Sequence, residues 1–227
     1  MRKRADETGE APHKAQETAA PGTGRKSVVR EYAEALIIAV LLALVIRTFV
    51  VQAFKIPSGS MLPSLQIGDH ILVNKFIYHF TPIERGDIIV FKFPQDETRD
   101  FIKRVIGLPG DTLEIRGKQV LINGGALNES YAVYSHGPYP RMSERDRLGP
   151  LLIPPGRLFM MGDNRDHSMD SRFWGLLDMR KIKGKAFIVY FSLRSEDIPY
   201  ASTLPSLLYV VTHPSIVRWG RLGTLVH

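Results

Sequence analysis

The stretch GDIIVFKF, residues 86–93, decides how this chain folds. A Gly-Asp turn signal opens it, and the six residues that follow are β-branched or aromatic apart from Lys92. Such a run is short for a helix and has the composition of a strand. Working outward, HILVNKFIY (70–78), DTLEIR (111–116), QVLING (119–124), RLFMMG (157–162) and AFIVYFSL (186–193) repeat the pattern, punctuated by Gly, Pro and Asp. No segment between them supplies helical crossovers of adequate length, so the spacing predicts a mainly β domain with antiparallel pairing. Gly124-Gly125 reads as a turn. Residues 126–156 contain Pro138, Pro140, Pro150, Pro154 and Pro155 and read as loop, which makes the region around 112–156 a loop-rich insertion on the β body.

N-terminal to these strands lies AEALIIAVLLALVIRTFVV, residues 33–51. As a helix its residues would rise roughly 28 Å, close to the ~30 Å hydrocarbon core of a bilayer. The charges within it are Glu34 at the start and Arg47, which is near enough to the end to snorkel. This predicts a transmembrane helix over 33–52, a disordered tail over 1–32 and a globular domain over 53–227. Arg25, Lys26 and Arg30 flank the apolar run on its N-terminal side, placing the tail in the cytoplasm and the domain outside. Two other readings stand beside this one. The run is also compatible with a buried helix of a soluble protein, and Val51-Gln52-Ala53 with the cleavage site of a secretory signal, although the preceding 34 residues are long and acidic for that.

The 44% apolar content supports a real core. Most of the +7 net charge lies beyond residue 34, a balance that suits an anionic lipid surface. No basic run, recognition-helix pattern or aromatic-basic motif points to nucleic acid. There is no cysteine, which excludes disulfides, thiolate metal sites and a cysteine nucleophile. The seven histidines are scattered, so neither a metal nor any cofactor is expected.

Three polar stretches could carry chemistry. In FKIPSGSMLPSL (54–65), two serines and a glycine stand between Pro57 and Pro63, as a linker or as a held nucleophile. A serine hydroxyl needs a base to take its proton. In FIKRVIGLPGD (101–111), Lys103 is surrounded by Phe101, Ile102, Val105 and Ile106. An ordinary lysine is neutral only about 0.04% of the time at pH 7, and an apolar site would shift it toward neutrality. The plain alternative is a strand-face lysine. GDNRDHSMDSRFWG (162–175) reads as a compact loop that is either solvated or braces a site.

These stretches, in this order behind an apolar helix, closely resemble bacterial type I signal peptidases, membrane-bound serine proteases with a Ser/Lys dyad. The matching segments are IPSGSMLPSLQIGDHILVNKF (56–76), RGDIIVFKFP (85–94), FIKRVIGLPGD and GDNRDHSMDSRFWG. The resemblance implies Ser60 as nucleophile and Lys103 as general base. It implies an oxyanion hole from the Ser58 hydroxyl and the Ser60 backbone N–H, and a Ser168 hydroxyl that orients the lysine amine. Asp163, Asp170 and Arg172 would form a bracing ion-pair network. Phe54, Ile56, Pro57, Met61, Leu65, Phe101 and Ile102 would line pockets for small side chains. It also implies an antiparallel β fold with a β-rich insertion. The substrate would be the signal peptide of an exported preprotein, cut after a small residue near the secretion translocon. His167 and Met169 stand where small or polar residues are expected.

The rival readings differ in signature. A self-cleaving repressor of Ser/Lys type needs a helix-turn-helix where this chain has an apolar helix. A catalytically inactive membrane-anchored binding module would show a degenerate dyad. A peptidase specialised for one secretion system is not separated from a general one by sequence.

Overall fold

In a computed structural model, residues 28–134, 146–194 and 211–227 are described. The expected disordered tail, apart from its last residues, and the Pro138–Pro140 part of the expected loop lie outside them. The boundary between two compact units falls between Leu41 and Leu42.

Helix α1 spans Val28–Val45, and none of its residues is buried. It begins earlier than the expected 33–52 segment and includes Arg30, Glu31 and Glu34, with Arg30 Nε 2.8 Å from Glu34 Oε1. A wider π-helical turn, Ile46–Val50, follows. Val51 and Gln52 are already strand, because their backbone pairs with residues 73 and 74. No helix among the described residues is long and apolar enough to cross a membrane.

The rest is mainly β. In chain order the strands are β1 (Val51–Lys55), β2 (Asp69–Asn74), β3 (Ile88–Phe93), β4 (Asp96–Gly107), β5 (Thr112–Arg116), β6 (Gln119–Ile122), β7 (Gly125–Ala126) and β8 (Arg147–Leu152). They continue with β9 (Arg157–Met161), β10 (Leu177–Asp178), β11 (Ile182–Ser192) and β12 (Thr224–Leu225). The larger sheet has the order β1-β2-β11-β3-β4-β9-β10, with β12 also on β11; the smaller is β7-β6-β5-β8. Every strand pair within them is antiparallel.

The insertion is thus more ordered than a loop. Leu113 and Ile115 of β5 pair with Leu151 and Leu148 of β8, inside the stretch whose prolines suggested irregular chain. Pro150 is tolerated because β8 is an edge strand, where a missing N–H costs no ladder bond on the open side. The turn before β7 is one residue earlier than expected: Asn123 (φ 53°) and Gly124 (φ 82°) both occupy the left-handed region, as a two-residue hairpin turn requires.

Of four apolar clusters among the described residues, three lie against the sheets near the site. Ile56, Met61 and Leu65, from the segment joining β1 to β2, pack on Ile71, Val73, Ile88, Val90, Ala186 and Val189. This lays the serine-bearing segment over one face of the large sheet, which is how it reaches past β2, β11 and β3 toward β4. Ile106, Phe159 and Met161 meet Leu113, Ile115, Val120 and Ile153 between the two sheets. Ile89, Phe91, Val105, Leu158, Met160 and Leu177 form the third cluster, against Phe101 and Trp174. β4 is consequently covered on both faces, and its residues 103–107 are all buried.

Candidate active site

Past β1, Gly59–Met61 makes one 3-10 turn. Ser58 precedes it in extended backbone (φ −136°, ψ 156°), is exposed, and makes no capping hydrogen bond. Ser60 is buried. Lys103 comes from the covered half of β4 and is 4% exposed. Its Nζ donates to Ser60 Oγ at 2.8 Å and to the Ile102 carbonyl at 2.9 Å, and sits 5.2 Å from the Phe101 ring centroid. Burial pushes the amine down to about 8, against the opposing pull of Asp170 and Asp163. An amine of that basicity, in contact with a buried hydroxyl, is equipped to take the hydroxyl proton.

β9 pairs with β4 at Arg104↔Met161, so the chain leaving β9 at Gly162 is delivered beside Lys103 and Arg104. The approach is close. A Cβ on Gly162 would lie 2.3 Å from Ser168 Oγ and 2.5 Å from the Ser60 carbonyl oxygen. Asn164 fastens the serine turn from the same side: its N–H donates to Ser60 O at 3.1 Å and its Nδ2 to Gly59 O at 3.0 Å.

Asp163 and Asp170 are both fully buried and both paired, in two separate ion pairs. Arg172 grips Asp170 through Nε and Nη2, each at 2.8 Å, and donates to Arg165 O at 2.6 Å. Asp170 Oδ2 accepts the Gly162 N–H at 3.1 Å. Asp163 is held by Arg104, through Nε at 2.8 Å and Nη2 at 2.7 Å. Ser64 Oγ donates to the same carboxylate at 2.5 Å, and the Arg104 guanidinium lies 4.0 Å from the Tyr131 ring centroid. Arg104 was not among the residues singled out in the sequence. Its signal was available: two consecutive cations in the otherwise apolar stretch FIKRVIG, where successive strand side chains take opposite faces, so both cannot reach solvent once the strand is covered.

The expected hydrogen bond from Ser168 to the lysine amine is not made. Ser168 is fully buried against Gly162, and its hydroxyl has no hydrogen-bond partner among the described residues; the amine reaches the Ile102 carbonyl instead. The expected pocket divides. Phe54, Ile56, Pro57, Phe101 and Ile102 line one cavity of about 40 Å³, together with Lys55, Ile71, Val90 and Asp100. Met61 and Leu65 do not; both are fully buried core, anchoring the serine segment to the sheet. A larger cavity of about 280 Å³, between residues 75–83 and 179–184, includes none of these side chains. Among the described residues no group of three or more His, Asp or Glu side chains is arranged to hold a metal ion.

Residues 29–191 match the family model described as "Signal peptidase, peptidase S26". The chain belongs to this family. The curated relatives it resembles include a signal peptidase I of Leptolyngbya laminosa, 44% identical over 68% of this chain and 75% of the relative. A signal peptidase I of Aquifex aeolicus is 32% identical over 87% of this chain and 98% of its own length. One of Pseudomonas aeruginosa is 36% identical over 80% and 78%. The matched S26 region contains the serine turn, β4 and the 162–175 loop, so all three polar stretches that meet around Lys103 fall inside it.

Proposed function

We propose that this S26 peptidase removes signal peptides from exported preproteins, with Ser60 as nucleophile and Lys103 as general base. The observation that carries the assignment of the dyad is the 2.8 Å contact between Lys103 Nζ and Ser60 Oγ in a buried setting that lowers the amine to about 8. The neutral amine takes the Ser60 proton as Oγ attacks the scissile carbonyl. It then hands that proton to the leaving amine, and an acyl-enzyme remains for water to hydrolyse. The exposed Ser58 hydroxyl and the Ser60 N–H serve as oxyanion donors. Ser168, packed beside Ser60 O, orients the amine once substrate is bound, while Asp163, Asp170 and Arg172 brace the loop that carries it.

The 40 Å³ cavity beside Phe54, Ile56, Pro57, Phe101 and Ile102 favours cleavage after a small residue, since a longer side chain meets walls belonging to β1 and β4. The partner is therefore an extended preprotein segment with small residues at alternate positions. The uncharged run from Ala35 to Ile46, flanked by Glu34 and Arg47, anchors the enzyme in the bacterial cytoplasmic membrane, with the N-terminus in the cytoplasm and the catalytic domain outside, near the translocon. The α-helical residues Val28–Val45 rise roughly 27 Å, with Arg30 and Glu34 paired at one end. The rival reading of an inactive binding module loses its basis, because serine and lysine are both present and in contact.

The test is cleavage of a preprotein with an Ala-x-Ala site by the full chain in detergent and lipid. Wild type is expected to cut after the second alanine. Ser60→Ala and Lys103→Ala are expected to be folded and inactive, and substantial turnover by Lys103→Ala would remove lysine from the mechanism. Carbonate extraction of membranes tests the anchor: release of the full chain would argue against it.

A further inference from the structure

The insertion has no assigned role, yet one of its side chains reaches the loop that carries Ser168. Arg165 is 1% exposed on its side chain, a burial a guanidinium sustains only with its charge balanced. The balance comes from Glu129, in the segment between β7 and β8. Both Glu129 carboxylate oxygens accept from Arg165, Oε2 from Nη1 at 2.9 Å and Oε1 from Nη2, and the Glu129 side chain is itself 8% exposed. Tyr134 adds its hydroxyl to Arg165 Nη1 at 3.1 Å. The backbones join as well: Val133 N donates to Asp163 O at 2.8 Å, and Arg165 N to Val133 O at 2.9 Å.

What Arg165 does with its remaining donor is the consequential part. Its Nε donates to the Gly162 carbonyl at 3.2 Å, while the N–H of the same glycine goes to Asp170. Gly162 is thus pinned at both of its backbone polar groups, and it is the residue against which Ser60 O and Ser168 Oγ pack too closely for a Cβ. Asp170 belongs to the loop itself. The other pin is oriented from the insertion, through a charge pair that joins residues 36 apart in sequence.

We infer that Glu129 is a positioning residue for the peptidase reaction, acting through Arg165 on Gly162 and so on Ser60 and Ser168. This rests on the assignment of Ser60 and Lys103 given above. Without the carboxylate, Arg165 is an uncompensated buried cation that turns outward, and the Gly162 carbonyl loses its donor. The serine and the lysine then remain present but imprecisely placed, a change that lowers turnover without altering the substrate cavity, whose lining does not include Glu129.

The experiment compares wild type, Glu129→Gln, Glu129→Asp and, as a control for instability, Val120→Ala, which opens a hole in the core under the insertion sheet. Preprotein cleavage is expected to show kcat about 10- to 100-fold lower in Glu129→Gln with KM within about twofold, and partial recovery in Glu129→Asp, which keeps the charge. Val120→Ala is expected to melt lower at near-normal kcat. Amide exchange at residues 162–165 is expected to quicken about tenfold in Glu129→Gln while β3 stays protected. Exchange needs no turnover, so it reports on the clamp even if the dyad assignment fails in the Lys103→Ala test. Unchanged exchange, or a lower melting temperature at wild-type kcat, or an effect confined to KM, would each overturn the inference. If Glu129→Gln does not fold, Glu129→Asp decides: kcat and exchange both equal to wild type, or both displaced in the direction stated.

Discussion

At pH 7 an amine with a pKa of about 8 is neutral in roughly one molecule in ten, against fewer than one in a thousand for a free lysine. Two consequences follow for Lys103. With the neutral form as the proposed base, kcat/KM is expected to rise with pH through about 8 and then level; a profile flat between pH 6 and 9 would contradict the assignment. The same depression costs stability. The folded protein holds this proton less tightly than the unfolded chain, so the penalty is full below about 8 and vanishes as pH rises past 10.5. Lys103→Met should therefore be more stable than wild type by about 3 kcal/mol in urea titrations at pH 7, the gap closing above pH 10.5. Gly162 makes the steric counterpart. Gly162→Ala places a methyl 2.3 Å from Ser168 Oγ and 2.5 Å from Ser60 O, and is expected to lower kcat by about 100-fold and stability by about 1–3 kcal/mol. Normal turnover in that variant would mean the serine turn and the loop give way more readily than their packing implies.

On the level of elements, the ion pair between β4 and the chain after β9 is the join on which the site depends. Arg104→Met leaves Asp163 buried without its cation, and a loss of about 3–5 kcal/mol is expected in chemical denaturation. Replacing both partners with apolar residues should recover much of that; failure to recover would show that the Ser64 and Gly86 contacts of this pair matter more than its charge. The strands were legible where composition is one-sided, as in Ile88–Phe93 and Arg157–Met161. They were hidden where two signals compete. β1 continues an apolar run whose earlier part is helix, so no change of composition marks Val51. β4 begins with DETRD and β8 contains Gly149-Pro150, both of which read as loop. Ser60 and Lys103 were legible through resemblance to a family, not through spacing, since they lie on different elements 43 residues apart. Met61 and Leu65 were assigned to the substrate pocket by resemblance to the family, yet both are fully buried against the large sheet and anchor the serine segment there. Glu129 carried no local mark at all: what matters about it is a partner brought near by the pairing of Val133 with residues 163 and 165.

For the molecule as a whole, the boundary at Val50–Val51 separates what the β domain needs from what precedes it. A chain starting at Val50 retains the β1–β2 ladder and the Lys75 N–H bond to Val50 O. It is expected to melt within about 3 °C of the full chain and to cut a soluble peptide. A chain starting at Ile56 loses the edge strand and Phe54, and is expected to lose both stability and cleavage. Thermal melts and peptide turnover of the two truncations check this, and equal behaviour would show β1 to be dispensable. The distance along the chain between the parts of the site has a further bearing, on the order in which the protein comes into being. β1 and β2 are near neighbours in sequence, whereas the Asn164 bond to Gly59 closes a span of 105 residues. Closing the short span costs less entropy, so the hairpin pairs first. As the chain is synthesised from its N-terminus, the Val51-Gln52-Ala53 tripeptide behind the apolar run is available for pairing in the β1–β2 hairpin before residues 162–168, which complete the proposed site, have been made.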